Sequence, residues 1–341
     1  PGGVRRRRTG RPAERGRRAR RRPPDGGPAP VILTVTLNAA LDVTYGVDAL
    51  RPRTSHRVGT THRRAGGKGV NVARVLAARG YGATVTGLVG GPTGALLRDD
   101  LRTVANLHDE LVAVSGTSRQ TVTVVSRDDG DATVFNERGP HVAPREWRTF
   151  TDRFASLVRD VPVVALCGSL PPGLPSDAYA RLVRIAARAG ALTVLDTGGP
   201  PLLAALDAGP DVVKPNAAEL AAATGCEDVV VAARRLRALG ARAVVVSSGP
   251  DGLHALTPDG GWRAAPPERL AGNPTGAGDA CVAALAAGLA DGRRWPDVLR
   301  EAVALSAAAV PCPVAGDFDA ATRRRIRPAV SVEDLHAPHP H

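Results

Sequence analysis

Short apolar runs alternate with segments of helical period along most of the chain. The runs fall at 31–37, 84–89, 111–114, 161–166, 192–195, 211–213 and 243–246, and helix-like segments at 70–79, 93–104, 176–189 and 229–239 separate most of them. Apolar strands parted by helices predict an α/β fold, a mainly parallel sheet with helices on both faces. The first run is rich in β-branched residues and ends at Asn38, with Asp42 close behind. It predicts a buried first strand with polar residues at its carboxyl end, where open α/β sheets bind ligands. Residues 43–64 alternate weakly and have no helical period, which predicts strands outside the main sheet, a flap. The runs 121–125 and 132–135 flank Asp128-Asp129-Gly130 and predict a hairpin that extends the flap. Two Ala-rich helices, 280–290 and 296–309, close the domain, and the Pro- and His-rich end from 327 to 341 is expected to be loose.

Two of the helix starts are rich in glycine. Ala65-Gly66-Gly67-Lys68-Gly69 leads into a helix with Val72, Val75 and Leu76 on one face. Gly272-Asn273-Pro274-Thr275-Gly276-Ala277-Gly278-Asp279-Ala280 leads into the apolar segment from Cys281 to Leu289. Small residues let a backbone approach an anion closely, and the helix that follows points its free N–H groups at that anion. The second stretch is therefore a candidate phosphate cradle. Asp279 falls in the first helical turn, where the helix dipole favours a carboxylate, yet it would repel a phosphate held beside it. The role such a position fits is a base that takes a proton from an attacking hydroxyl. Taken alone, a helix cap behind a glycine turn accounts for the same residues.

Charge at first suggests a nucleic-acid partner and then removes it. The chain of 341 residues carries a net charge of +12, but residues 1–30 hold eleven Arg against Glu14 and Asp25, so the rest carries only +3. That segment has Pro and Gly throughout and no aromatic ring on which a base could stack, so it reads as a disordered, non-functional tail. No specific nucleic-acid partner is expected. Arg20-Arg21-Arg22 is followed by Pro23-Pro24-Asp25 rather than by the apolar stretch of a signal peptide. Cys167, Cys226, Cys281 and Cys312 are dispersed without paired spacing, which argues against a disulfide or zinc framework and for a reducing cytoplasm. No apolar run approaches the roughly 20 residues that span a bilayer, so no membrane partner is expected. Of 45 basic residues, only Lys68 and Lys214 are lysine. A chain that uses Arg for ordinary surface charge keeps lysine where a compact, flexible ammonium is needed.

Six motifs in order resemble one family. They are Thr36-Leu37-Asn38 with Asp42, Gly66-Gly67-Lys68-Gly69 with Asn71, Gly168-Ser169-Leu170-Pro171-Pro172-Gly173, Lys214-Pro215-Asn216 with Glu219, the segment 247–252, and Gly276-Ala277-Gly278-Asp279. Together they resemble the carbohydrate kinases of the ribokinase superfamily, the pfkB family, and most of all its phosphosugar branch, over about residues 31–325. Ser118-Arg119-Gln120-Thr121 departs from the family's Thr-Arg-x-Asn, Asn273-Pro274-Thr275 from its Ser-Thr-Val, and Ala39 stands where Pro is frequent. The chain then divides into the tail 1–30, a kinase domain 31–325 and a flexible end 326–341.

The resemblance implies a ribokinase-like sheet with a small β lid, from about 43–64 and 118–137, that covers the sugar and joins a second subunit in a homodimer. It implies ATP and Mg²⁺, and ATP-dependent phosphorylation of a phosphosugar, foremost fructose 1-phosphate at its 6-hydroxyl to give fructose 1,6-bisphosphate. Tagatose 6-phosphate and fructose 6-phosphate are alternative acceptors; more distant are an unphosphorylated sugar and a non-catalytic protein binding nucleic acid through the Arg arm. Asp279 is implied as the base, with the amides of Gly276, Ala277 and Gly278 as the anion hole. Lys214 is implied near the nucleotide phosphates, Ser247, Gly249 and Gly252 in the nucleotide loop, and Asn216 and Glu219 about a hydrated Mg²⁺. The latter pair also reads as a capping box. Asp42, Gly66, Gly67, Asn71 and Ser169 are implied on the sugar side, and Lys68 and Arg119 at the phosphate already on the substrate.

Overall fold

The computed structural model describes residues 29–128 and 132–335. Residues 1–28, Asp129 and Gly130 of the expected hairpin turn with Asp131, and 336–341 of the Pro- and His-rich end lie outside the described residues. In chain order the elements are β1 Val31–Thr36, β2 Ala40–Val47, β3 Thr60–Gly66, α1 Lys68–Ala78, β4 Gly82–Val89, α2 Gly91–Leu101, β5 Leu107–Ala113, β6 Arg119–Ser126 and β7 Ala132–Asn136. There follow α3 Pro144–Leu157, β8 Val163–Cys167, α4 Ala178–Ala189, β9 Leu192–Asp196, α5 Gly199–Leu206, β10 Val212–Val213, α6 Ala217–Thr224, α7 Val229–Ala238 and β11 Ala243–Ser247. The last are β12 Leu253–Thr257, β13 Gly260–Ala265, α8 Ala277–Ala290, α9 Trp295–Ala309, α10 Ala320–Ile326 and β14 Ser331–Asp334.

A ten-stranded sheet has the order β14-β13-β12-β11-β10-β9-β8-β1-β4-β5 and is parallel from β5 through β11. The remaining three strands add on antiparallel. Successive side chains of a strand face opposite sides, so a strand buried on both must be apolar throughout. Strand β1 nearly obeys this: Ile32 belongs to the core that holds α1 and α8 on one face, Leu33 and Val35 to the core on the other, and only Thr34 and Thr36 interrupt the apolar run. Because these strands run parallel, the ends of β1, β8, β9, β10 and β11 open on one rim, where the glycine motifs lie.

A second sheet of four strands, β3-β2-β6-β7, stands over that rim. It is the expected flap, but its centre is a parallel pairing of β2 with β6, from Ala40 opposite Arg119 to Val47 opposite Ser126. Its strands reach from 40 to 66 and from 119 to 136, so the first pair exceeds the range expected for the lid.

Elements that went unread in the sequence include α3, the β12–β13 hairpin and β14. Helix α3 buries Trp147, Phe150 and Phe154, a three-and-four spacing plain in retrospect, and Glu146 in its first turn accepts the amides of Ser115 and Ala143 at 2.6 and 2.8 Å. The β12–β13 hairpin turns at Pro258-Asp259, with Thr257 paired to Gly260. The third corrects an expectation: the segment after 326 is not loose up to residue 335, because β14 pairs with β13 from Ser331–Ala265 to Asp334–Trp262 and Val330 is buried. An open sheet edge offers unpaired backbone groups that a short strand can satisfy. The domain therefore extends beyond 325. Among the described residues no cysteine is bonded to another and no helix is long and apolar enough to cross a membrane.

Candidate active site

A cleft of about 1590 Å³ runs between the lid and the strand ends. Every residue to which the resemblance gives a role lines it except Gly66. Gly66 lies directly behind Asp42, where an added Cβ would fall 1.9 Å from the Asp42 Oδ2. The lid turns its polar face inward: Asp42 and Thr44 of β2, Arg64 of β3 and Arg119 and Thr121 of β6 all face the cleft.

At the centre is Asp279, in the first turn of α8 and only 7% exposed. Asn71, on the first turns of α1, donates Nδ2–H to its Oδ2 at 2.9 Å. Burial, and then the negative charge of Asp196, push the Asp279 carboxyl up to about 7, while the Asn71 bond, Lys68 and Lys214 pull it down. A carboxyl poised there can both accept and release a proton near neutral pH. The turn before it is left-handed at Gly276, whose φ is 92° and whose missing Cβ would meet Ala315 Cα at 2.9 Å. The amide of Ala277 is donated to Pro274 O at 3.1 Å, so an anion hole here draws on the other amides of the turn.

Strand β9 supplies the residue that sequence reasoning missed. Asp196 is 1% exposed at its end, with Oδ1 3.0 Å from Lys68 Nζ and Oδ2 3.5 Å from Lys214 Nζ. The two lysines of the chain thus converge on one carboxylate. For both, burial opposes the charge, but Asp196 overcomes it and the ammonium groups are held more firmly protonated than usual. A signal was available: Asp196 ends a buried parallel strand, the same position that drew attention to Asn38 and Asp42 after β1.

On the lid side, burial pushes the Asp42 carboxyl up to about 6 against the pull of Arg119, Thr121, Arg64 and Arg74. Asn38 donates Nδ2–H to Arg138 O at 3.1 Å and to Ser169 Oγ at 3.2 Å, which ties the end of β1 to the Gly168–Gly173 turn. Arg119 donates Nε–H to Asn38 O at 3.1 Å and Nη1–H to Thr121 Oγ1 at 3.0 Å. Lys68 and Arg119 therefore share the cleft, but neither is free: the first is tethered to Asp196 and the second braces the lid. Arg64 reaches across to Asp317 in a two-pronged ion pair, both bonds 2.9 Å.

At the far end, Asn216 Oδ1 accepts the Glu219 amide at 2.8 Å and Glu219 Oε2 accepts the Asn216 amide at 2.9 Å, so the capping box is formed. Glu219 Oε1 remains beside Gly198 at the cleft wall. Among the described residues no cluster of three His, Cys, Asp or Glu could cage a metal. One spare carboxylate oxygen suits a hydrated Mg²⁺ that arrives with a nucleotide and keeps most of its waters. Ser247 bridges to Asn216, and Gly249 and Gly252 line the same end.

Comparison with known proteins finds carbohydrate kinases. The model of the "pfkB family carbohydrate kinase" matches residues 35–321. The chain is 38% identical to the 1-phosphofructokinase of Rhodobacter capsulatus over 285 residues, 82% of this chain and 90% of that protein. The structure of phosphofructokinase-2 from Escherichia coli in complex with fructose-6-phosphate superposes with a TM-score of 0.79 at 28% identity, covering 88% of this chain and 99% of that one. The tetrameric inhibited form of the same enzyme gives 0.80 at 29% identity, with coverage of 88% and 99%.

Proposed function

The chain belongs to the pfkB family of carbohydrate kinases, and from that membership we propose that it is a 1-phosphofructokinase, transferring a phosphoryl group from ATP to the 6-hydroxyl of fructose 1-phosphate. The observation that carries the reading is the buried Asp279, held by Asn71 between a glycine phosphate cradle and a lid whose inner face bears Arg64 and Arg119. Phosphoryl transfer asks little covalent chemistry of a protein; it asks for positioning and for charge where charge develops. Asp279 accepts the proton of the acceptor hydroxyl as that oxygen attacks. Amides of the Gly276–Gly278 turn and the Lys214 ammonium stabilise the oxygens of the group in flight. Ser247, Gly249 and Gly252 receive the nucleotide.

Asp42, Asn71 and Ser169 hydrogen-bond the sugar hydroxyls, with Gly66 and Gly67 making room. Lys68 and Arg119 receive the phosphate the sugar already carries, since a dianion in a closed cleft must be paired. Mg²⁺, held through water by Glu219 beside Asn216, would neutralise charge on the ATP phosphates. The lid's edge strand β7 carries Phe135, 58% exposed, and we assign it to a homodimer contact; free thiols throughout fit the cytoplasm.

A coupled ADP-release assay over a panel of sugars and sugar phosphates tests the reading. The expected order places kcat/KM for fructose 1-phosphate above fructose 6-phosphate and tagatose 6-phosphate, and all three far above free fructose. Equal or better turnover of a free sugar would overturn it. Fructose 6-phosphate is the rival acceptor, on the strength of the ligand in the E. coli structure.

A further inference from the structure

We propose that Asp196 is the positioning residue of this site: its two carboxylate oxygens fix the ammonium groups of Lys68 and Lys214 to one buried point, so a single side chain sets the cation for the acceptor and the cation for the donor. The proposal rests on the kinase reading above and adds to it a residue that need not touch either substrate.

The geometry is specific. Lys68 opens α1, next to Asn71 and the lid, while Lys214 follows β10 and points its Nζ at the anion loop, 3.6 Å from where a Cβ on Gly278 would lie. The two belong to opposite halves of the cleft, yet each ends within 3.5 Å of the same carboxylate. Asp196 itself cannot drift. Strand β9 is paired on both sides, to β8 and to β10, and the Asp196 carbonyl accepts the Gly168 amide at 2.9 Å.

Charge and mobility give the carboxylate its task. Two ammonium groups brought together repel, and Lys214, 4% exposed, has little water to support its charge. A carboxylate shared between them removes both difficulties. The Lys68 side chain is 41% exposed and long, so without a tether its ammonium would sample the open cleft. Each ammonium has three donors, so the tether leaves donors on both lysines for incoming phosphates. Asp196 Oδ2 accepts no hydrogen bond although it is buried. It faces Lys214 at ion-pair distance only, which leaves that lysine free to lean toward a phosphate. The compositional oddity also finds its reason: two compact ammonium groups can share one buried carboxylate beside a glycine turn, where two planar guanidinium forks would collide.

The test is a pair of double-mutant cycles, Asp196→Asn with Lys68→Ala and Asp196→Asn with Lys214→Ala, each repeated with Asp196→Glu. The first is read as kcat and KM for fructose 1-phosphate, the second as ADP affinity by calorimetry, with thermal melts to confirm folding. Lys68→Ala alone should cost roughly 10- to 100-fold in kcat/KM, the value of a charge-assisted contact. In the Asp196→Asn background the same change should cost less than about threefold, because residues acting as a unit are not additive. ADP affinity should likewise fall in Asp196→Asn about as far as in Lys214→Ala, with no further fall in the double variant. Asp196→Glu, which keeps the charge but alters its reach, should fall between parent and Asn, and its cycle decides the matter if the Asn variant does not fold. Losses that multiply in both cycles would overturn the proposal, since Asp196 would then act on substrate or metal in its own right. So would parental kinetics in Asp196→Asn. Absence of turnover of any phosphosugar by the parent is a different outcome, which overturns the kinase reading instead.

Discussion

Asp279 shows how one side chain can be set for chemistry at the expense of stability. Its carboxyl titrates at about 7, raised by burial and by Asp196, and only the ionised form can take a proton. The acid limb of kcat/KM should therefore bend near pH 7; a flat profile from pH 5.5 to 8 would remove Asp279 from the role. Asp279→Asn should cut kcat by about 10² to 10⁴ while ADP still binds. The same shift has a consequence for folding. A carboxyl whose folded value is raised favours the fold fully below its unfolded value of 3.8, and that contribution is lost as pH climbs through 7. Asp279→Asn should thus melt higher than the parent at pH 8, by on the order of 1 kcal/mol or more, and the gain should vanish by pH 4. Asp279, Lys68, Lys214 and Asn216 were legible because each stands in a glycine, proline or asparagine motif. Asp196 was passed over although it ends a buried strand and Gly198-Gly199-Pro200 follow it, because the strand-end signal was applied to β1 alone. Nor could sequence pair Asn71 with Asp279, 208 positions apart.

At the scale of elements, what could be read was what had a period or a punctuation mark. Strands such as β1, β8 and β11 and helices such as α1, α4, α8 and α9 follow their apolar patterns, and the lid was foreseen from weak alternation, though not its parallel β2–β6 centre, which no local pattern encodes. Strand β14 escaped because four residues are too few to show a period; the β13 edge, not its own sequence, makes it a strand. The lid is coupled to the body at its root, where β3 runs into α1 through Gly66 and Gly67. Gly66→Ala must displace the Asp42 carboxylate, since the new methyl would overlap Oδ2. The expected result is a rise of roughly tenfold or more in KM for the sugar phosphate with KM for ATP little changed, as misplacing a binding group by an ångström can cost that much. A parallel rise in both constants would mean that the damage spreads beyond the lid.

For the whole molecule, two apolar cores flank one sheet while the polar face of a second sheet closes the cleft above it. If edge strand β7 of the lid is the subunit contact, Phe135→Asp should convert a dimer into a monomer in sedimentation while the fold stays intact; an unchanged sedimentation coefficient would place the contact elsewhere. The position of β1 at the middle of the main sheet has a consequence for how the chain is made. It pairs with β4 on one side and with β8 on the other. During synthesis the first partner emerges soon, but Val163–Cys167 follows only after the lid strands and α3. Until then Val31–Thr36, apolar and β-branched, offers an open edge on the ribosome-bound chain. Nascent chains stopped before residue 163 should therefore be aggregation-prone clients of chaperones, with the β1 edge among the surfaces they leave open.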